Sequence, residues 1–134
     1  MTNERESLGN ILETMQELPE FIGIQLQEVN QEGGFGNRPL HIAISWKRAD
    51  AVAILLDAGA DVNARGERGE TALHRAVLWD LDHIVTLLLQ RGASPEIADE
   101  QGATTLEVDV KIGSKRSEGV IRRWLSDKGG IGTA

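Results

Sequence analysis

The residues of this chain that could do chemistry are three histidines, scattered carboxylates and one glycine–serine–lysine triplet, and none of them forms a catalytic pattern. His41, His74 and His83 do not have the His-x-x-x-His spacing of a zinc site, and the 134 residues include no cysteine. The triplet at residues 113–115 lacks the upstream glycine and the preceding strand of a phosphate-binding loop. We therefore expect no metal ion, no cofactor and no enzymatic activity.

One group of charged residues near the C-terminus keeps an enzymatic or ligand-binding alternative open. It consists of Glu107, Asp109 and Lys115. A carboxylate on the inner face of a helix is costly to bury without a partner. Asp109 must therefore meet solvent, the Lys115-Arg116 pair or a ligand, and the alternative fails if these groups lie apart in solvent.

The elements that would position these side chains recur with a fixed spacing. Residues 36–59 read GNRPLHIAISWKRADAVAILLDAG and residues 69–92 read GETALHRAVLWDLDHIVTLLLQRG. Each segment has two short helix signals, a break between them and a closing glycine. The opening glycines are 33 positions apart (69 − 36), as are the closing ones (92 − 59), and Gly102 lies another 33 on (102 − 69). A fixed period in this range indicates a protein of stacked repeats.

These segments resemble the ankyrin repeat. Its T-P-L-H tetrapeptide matches residues 71–74 with Ala for Pro and residues 38–41 with Arg for Thr, and its closing G-A-D-V-N-A matches residues 59–64 in every letter. The resemblance implies an all-α solenoid of stacked helix-turn-helix units with short hairpin fingers. It also implies that Thr71 and His74 hold each other and the next loop by hydrogen bonds. Arg38 replaces the threonine before His41, which puts the equivalent bond in doubt. The implied structural repeat residues are His41, Gly59, Thr71, His74 and Gly92.

We expect one domain over residues 1–134 with about four repeats, of which the two terminal ones are degenerate caps. The full repeats lie at 36–68 and 69–101, the capping repeats at 1–35 and 102–128, and a flexible tail at 129–134. Apolar residues with helical spacing predict a helix over residues 4–18, which Pro19 ends. The alternative for this N-terminal segment is a helical extension unrelated to the repeats.

The charge favours a protein partner. The formal net charge is −7, which repels nucleic acid and anionic lipid and attracts a basic protein. The alternative is that the charge only keeps the chain soluble. The polar start of the chain is not a signal peptide, and no apolar run reaches the length of a membrane span. We therefore expect a cytoplasmic protein that binds neither membrane nor nucleic acid.

The resemblance places partner contacts at the finger tips and at the two residues before each helix break. Trp46 and Trp79 are 33 positions apart (79 − 46), so they predict one apolar strip along the stack, or else two indoles that seal the core. Phe35 at a finger tip either folds back onto the core or faces a partner. The candidate partner-binding residues are Phe35, Asn37, Arg38, Ser45, Trp46, Arg65, Glu67, Arg68, Glu70, Leu78, Trp79, Glu100, Lys111 and Ile112.

The sequence thus predicts a non-catalytic protein–protein interaction module that binds one partner on its concave face. The most specific form of the hypothesis is an inhibitor or immunity protein of the antitoxin type that neutralises a basic toxin or nuclease. The alternatives are a scaffold or assembly factor and a self-associating protein, although a monomer is favoured.

Overall fold

The computed structural model describes residues 7–107 and 115–133. The regular elements in these two ranges are α1 (Leu8–Gln16), a 3-10 turn at Pro19–Phe21, α2 (Pro39–Ser45), α3 (Ala49–Asp57), a 3-10 turn at Glu67–Gly69, α4 (Ala72–Leu78), α5 (Asp82–Gln90) and α6 (Lys115–Thr133). Residues 105–107 are also helical. The regular structure of the described residues is therefore helical, as the repeat pattern predicts.

The helices form pairs, and the pairs stack. Helix α2 packs on α3 and α4 packs on α5 within each pair, while α2 contacts α4 and α3 contacts α5 between pairs. Helix α1 covers α2 and α3 at one end, and α6 covers α5 at the other. Each pair buries its apolar face against its neighbours, which confirms the predicted solenoid.

A continuous apolar core runs through the stack. Leu73, Ile84 and Leu88 of the central pairs are completely buried, as are Ile11 and Met15 of α1. Truncating such a side chain to alanine costs about 2–5 kcal/mol. Ala43, Ala51 and Ala76 are also completely buried. Because these alanines are small, neighbouring helices approach closely.

The 33-residue period reappears in the backbone and in its hydrogen bonds. Gly59 and Gly92 close α3 and α5 with φ of 98° and 96°, a conformation that glycine adopts without strain. The Asn63 side chain donates to Gly92 O at 3.2 Å and accepts from Ser94 N at 2.8 Å. The Asn30 side chain makes the same two bonds one period earlier, to Gly59 O at 3.0 Å and from Asp61 N at 2.8 Å. The N-terminal segment therefore ends in the same loop as the full repeats.

The N-terminal segment carries an insertion that the period does not show. Fourteen residues separate the start of α3 from Asn63 (63 − 49), but 22 separate the start of α1 from Asn30 (30 − 8). The extra eight residues (22 − 14) accommodate the 3-10 turn at Pro19–Phe21. Helix α1 ends at Gln16, earlier than the predicted residue 18, and residues 4–6 of that prediction lie outside the described part.

The C-terminal helix is longer than the sequence suggests. We expected a flexible tail from residue 129, yet α6 continues to Thr133. Its backbone stays helical through Gly129, Gly130 and Gly132, although each glycine costs about 1 kcal/mol relative to alanine. The start of α6 is attached to the turn between α4 and α5, because Ser117 N donates to Asp80 Oδ1 at 3.0 Å.

Candidate binding surface

Two tryptophans occupy the same backbone position at the ends of α2 and α4. Trp46 is the C-cap residue of α2, and Trp79 is the C-cap residue of α4. Trp46 is half-buried and packs against the core, whereas Trp79 is 40 % exposed and its neighbour Leu78 is 41 % exposed. Both sequence alternatives therefore apply, one to each residue: Trp46 covers the core and Trp79 faces outward. Lys111 and Ile112, the predicted equivalents in the fourth repeat, lie outside the described residues.

The start of α4 is fixed by the residues that the repeat motif predicts. His74 N donates to Thr71 Oγ1 at 3.3 Å, Thr71 N donates to His74 Nδ1 at 3.1 Å, and Thr71 Oγ1 lies 2.9 Å from His74 Nδ1. Since Nδ1 accepts a hydrogen bond, Nε2 bears the proton and donates to Ala103 O at 2.9 Å. This reciprocal capping gives His74 the contacts that the repeat motif implies, and it joins α4 to the next finger.

His41 does the same for α2 without a threonine. Its Nδ1 accepts from Arg38 N at 3.0 Å, and its Nε2 donates to Ala64 O at 3.0 Å. The replacement of Thr by Arg38 therefore removes only the hydroxyl, because the backbone N–H still reaches the ring. Burial lowers the pKa of His41 to about 4, since it disfavours the charged ring; the Ala64 bond opposes this effect, and the charges of Arg75 and Arg38 add to it. The ring is neutral at pH 7.

A buried carboxylate, which the sequence pattern did not indicate, holds the first finger. Glu20 lies in the 3-10 turn of the insertion and is 7 % exposed. Its Oε2 accepts from Phe35 N at 2.9 Å and from Asn37 N at 3.0 Å, and its Oε1 accepts from Asn37 Nδ2 at 2.9 Å. Glu20 thus satisfies two backbone donors and one side-chain donor of the finger.

Asn37, which the sequence predicts as a partner contact, is buried and serves the fold. It is 5 % exposed, and its amide is used by its neighbours. Asn37 Oδ1 accepts from Arg75 Nη2 at 2.8 Å and from Glu67 N at 3.0 Å. Its Nδ2 donates to Glu67 Oε1 at 3.3 Å as well as to Glu20. An amide that is buried with its hydrogen-bonding groups paired has little left for a partner.

Arg75 of α4 completes this buried network and was also missed. It is 9 % exposed, and its guanidinium lies 3.8 Å from Glu67 Oε1 and 3.7 Å from Glu70 Oε1. Its Nη1 donates to Ser45 Oγ at 3.5 Å, which links α4 to the end of α2. The Glu70 side chain is only 17 % exposed. Glu70 therefore positions the finger more than it presents a carboxylate to a partner.

The other predicted partner-binding residues differ in their exposure. Phe35 is 59 % exposed, so it does not fold back onto the core. Arg38 is partly buried, and its guanidinium lies 3.8 Å from Glu32 Oε1. The fingers are joined, since Glu100 N donates to Arg68 O at 3.0 Å. The exposed polar members of the predicted set are Ser45, Arg65, Glu67, Arg68 and Glu100.

The alternative site in the fourth repeat is described only in part. Glu107 Oε1 accepts from Thr104 N at 2.8 Å and from Thr104 Oγ1 at 3.2 Å, so this carboxylate stabilises the start of a helix. Asp109 and the side chain of Lys115 lie outside the described residues. In the part of the chain that is described, no group of three or more His, Cys, Asp or Glu residues could hold a metal ion. Among the described helices, none is both long and apolar enough to cross a membrane.

A comparison with protein families identifies the repeat. A family model described as ankyrin repeats, in three copies, matches residues 7–99, which is more than half of the chain. The matched range begins with the N-cap of α1 and therefore includes the N-terminal segment. No curated protein matches the sequence.

Proposed function

This chain belongs to the ankyrin-repeat family, which indicates a protein–protein interaction module, and we propose that it binds one protein partner through the exposed end of α4. The observation that carries this proposal is the exposure of Leu78 (41 %) and Trp79 (40 %) at the C-terminal end of α4. The six preceding residues of this helix, 72–77, are all buried. Large apolar side chains on a rigid support are the usual centre of a protein interface.

The charged fingers of the stack support the same proposal. The fingers on one side of the stack expose Arg65, Glu67 and Arg68. An apolar centre with a charged rim is typical of a protein interface. The fingers are already held by backbone hydrogen bonds and by the buried Arg75, so binding would cost little conformational entropy.

The more specific proposal is that the partner is basic and that binding blocks its activity. The net charge of −7 accelerates association with a basic protein at low salt. A module of this kind can neutralise a toxin or nuclease by covering its active surface, as an inhibitor or immunity protein does. A scaffold or assembly factor would use the same surface without abolishing the partner's activity.

A Leu78→Ser, Trp79→Ala variant tests the position of the site. The partner is captured from a lysate of the source cells, identified, purified and titrated by calorimetry. We expect Kd to rise at least about 30-fold, since truncation of an interface hot spot costs 2 kcal/mol or more. The matched control is His83→Ser with Gln90→Ser, two exposed residues of α5.

An unchanged Kd in the Leu78/Trp79 variant would refute the site. Inhibition of the purified partner's own activity tests the more specific proposal, and a partner that stays active in the complex would leave only the scaffold function. Light scattering of the free protein tests self-association. A dimer that is lost in the variant would assign this surface to a second copy of the chain.

A further inference from the structure

The negative charge of the chain is concentrated at its N-terminal end. Residues 1–37 contain seven of the 21 acidic residues and one of the 14 basic residues, a net charge of −6. Residues 38–134 contain the other 14 acidic and 13 basic residues, a net charge of −1. Between residues 7 and 37 there is no basic residue, and the first one after this stretch, Arg38, lies 3.8 Å from Glu32 Oε1.

Two large apolar side chains are exposed within this acidic region. Ile22 is 75 % exposed and Phe35 is 59 % exposed, which makes them more exposed than Leu78 and Trp79. Ile22 follows the 3-10 turn of the insertion, and Phe35 is at the tip of the first finger. Exposed apolar groups of this size are unfavourable in water, and a bound partner would remove that cost.

Hydrogen bonds join the two segments that carry these side chains, the insertion and the first finger. Gly34 N donates to Glu20 O at 2.6 Å, and Phe35 N donates to Glu20 Oε2 at 2.9 Å. Gln16 holds the other side of the insertion, because its Nε2 donates to Ile24 O at 2.8 Å and its Oε1 accepts from Leu26 N at 2.7 Å. Ile22 and Phe35 therefore project from a fixed backbone.

Exposed carboxylates belong to the same two segments. Glu17 begins the insertion, Glu28 ends the extended stretch after it, and Glu32 precedes the finger tip; all three are exposed. We call Glu17, Ile22, Glu28, Glu32 and Phe35 the N-terminal patch. The patch combines two exposed apolar side chains with three carboxylates, and one of these, Glu32, lies 3.8 Å from the Arg38 guanidinium.

We propose that the N-terminal patch binds a basic segment of the protein partner in which lysine or arginine residues flank an apolar side chain. This inference rests on the proposed function, because it takes the partner to be a protein, and it adds a second contact surface to the exposed end of α4. Charge complementarity supplies the argument for a basic segment. The exposed Ile22 and Phe35 supply the argument for an apolar residue in its middle.

A second copy of the chain fits the patch less well. Two patches facing each other would bring carboxylates together. Helix α6 is basic, but Arg116 pairs with Asp80 and Arg122 pairs with Glu118. The described apolar residues of α6 pack against the core, and none of them is among the exposed large apolar residues. Helix α6 could therefore meet the charge of the patch but not its apolar centre.

The test uses the full chain labelled with ¹⁵N and three short synthetic peptides. The first alternates lysine and leucine, the second has glutamate in place of lysine, and the third has serine in place of leucine. We expect the lysine–leucine peptide to shift the amide resonances of residues 20–22 and 34–36, with an affinity that falls as salt is raised. The glutamate peptide should not bind, and the serine peptide should bind at least about tenfold more weakly, since it lacks the leucines that would cover Ile22 and Phe35.

Variants of the chain show whether the patch itself is responsible. Ile22→Ser with Phe35→Ser should weaken the lysine–leucine peptide at least about tenfold, while the matched α5 control, His83→Ser with Gln90→Ser, should not. Circular dichroism confirms that both variants are folded. Shifts elsewhere in the chain, equal binding of the serine peptide, or unchanged affinity in the Ile22/Phe35 variant would overturn the proposal.

Two further outcomes separate the proposals from one another. Concentration-dependent shifts of both the patch and α6, without peptide, would assign the patch to a second copy and overturn the basic-partner proposal. Failure of the peptide test would overturn only the proposal for the N-terminal patch. The Leu78/Trp79 surface would still be tested separately by calorimetry. Failure of that calorimetric test with success here would place the partner contact on the N-terminal patch alone.

Discussion

Replacement of Glu20 by alanine removes the acceptor that holds the first finger, and we expect it to destabilise the fold well beyond the local contact. The carboxylate is 7 % exposed and accepts three hydrogen bonds, from Phe35 N, Asn37 N and Asn37 Nδ2. The two donors of Asn37 are buried, whereas water can reach Phe35 N because it is only partly buried. Glu20→Ala therefore leaves two buried donors without their carboxylate.

The magnitude follows from these two donors. A buried donor that loses its partner destabilises the folded state by about 1–3 kcal/mol. Removal of the buried carboxylate offsets part of this loss, because its desolvation penalty disappears as well. We expect a loss of about 2–4 kcal/mol in the free energy of unfolding. Glu20→Gln should cost about 1–2 kcal/mol, because the amide keeps an oxygen for the two backbone donors but turns its NH₂ group towards Asn37 Nδ2.

The assay is urea denaturation followed by circular dichroism, with a double-mutant cycle between Glu20→Ala and Asn37→Ala. The two effects should be strongly non-additive, since the residues share their hydrogen bonds. Glu20→Ala with Asn63→Ala is the matched control, because Asn63 bonds Gly92 and Ser94 and shares no hydrogen-bond partner with Glu20. Gly33→Ala gives an independent perturbation, because its methyl group would overlap Glu20 Cγ and Oε2.

A Glu20→Ala variant within about 0.5 kcal/mol of the wild type would refute this reasoning, since that is the range of ordinary surface substitutions. Additivity of Glu20→Ala and Asn37→Ala would refute it as well. Either result would mean that water can replace the Glu20 carboxylate, and that the buried hydrogen bonds are not what orders the first finger.

Two further predictions concern pH and helix α6. The folded-state pKa of His41, about 4, lies below the ordinary value of 6.5, so the unfolded chain binds the proton first and stability should fall by about 3 kcal/mol as the pH drops from 6.5 to 4. A His41→Gln variant should show a flatter profile over this range in urea titrations, and an equally steep one would contradict the explanation. Gly119→Ala in α6 should raise the free energy of unfolding by about 0.5–1 kcal/mol. The added methyl group meets no atom within 4 Å, and alanine loses less backbone entropy than glycine when the helix forms. The same substitution at Gly59 should destabilise, because φ there is 98°, and stabilisation at both sites would contradict the argument.

The features that the sequence predicted well are those that repeat. Thr71, His74, Gly59 and Gly92 recur at fixed offsets, and each acts within its own helix pair or on the next loop. A local motif of this kind determines its hydrogen bonds almost completely. The solenoid follows from the motif because each pair must bury its apolar face against another.

The buried network could not be predicted in the same way. Glu20 lies in an insertion that has no counterpart in the other repeats, and its bond to Asn37 crosses 17 residues. The bond between Asn37 and Arg75 crosses 38 residues and joins positions that do not repeat, since Glu70 and Ile42 stand one period away from them. Similarly, one period relates Trp46 to Trp79, but only packing determines that the first is half-buried and the second faces outward.

The network also explains how two separate apolar surfaces can belong to one binding module. Glu20 fixes the finger of the N-terminal patch. Arg75 belongs to α4, the helix that ends at Leu78, and it joins this helix to Ser45 of α2 and to Glu67 of the second finger. Asn37 lies between them and accepts from Arg75 while it donates to Glu20. Both surfaces are thus ordered by the same buried side chains before any partner arrives. A partner that contacts both surfaces loses its translational and rotational entropy only once. Two contacts that are each weak can therefore give high affinity when the surfaces that make them are already ordered.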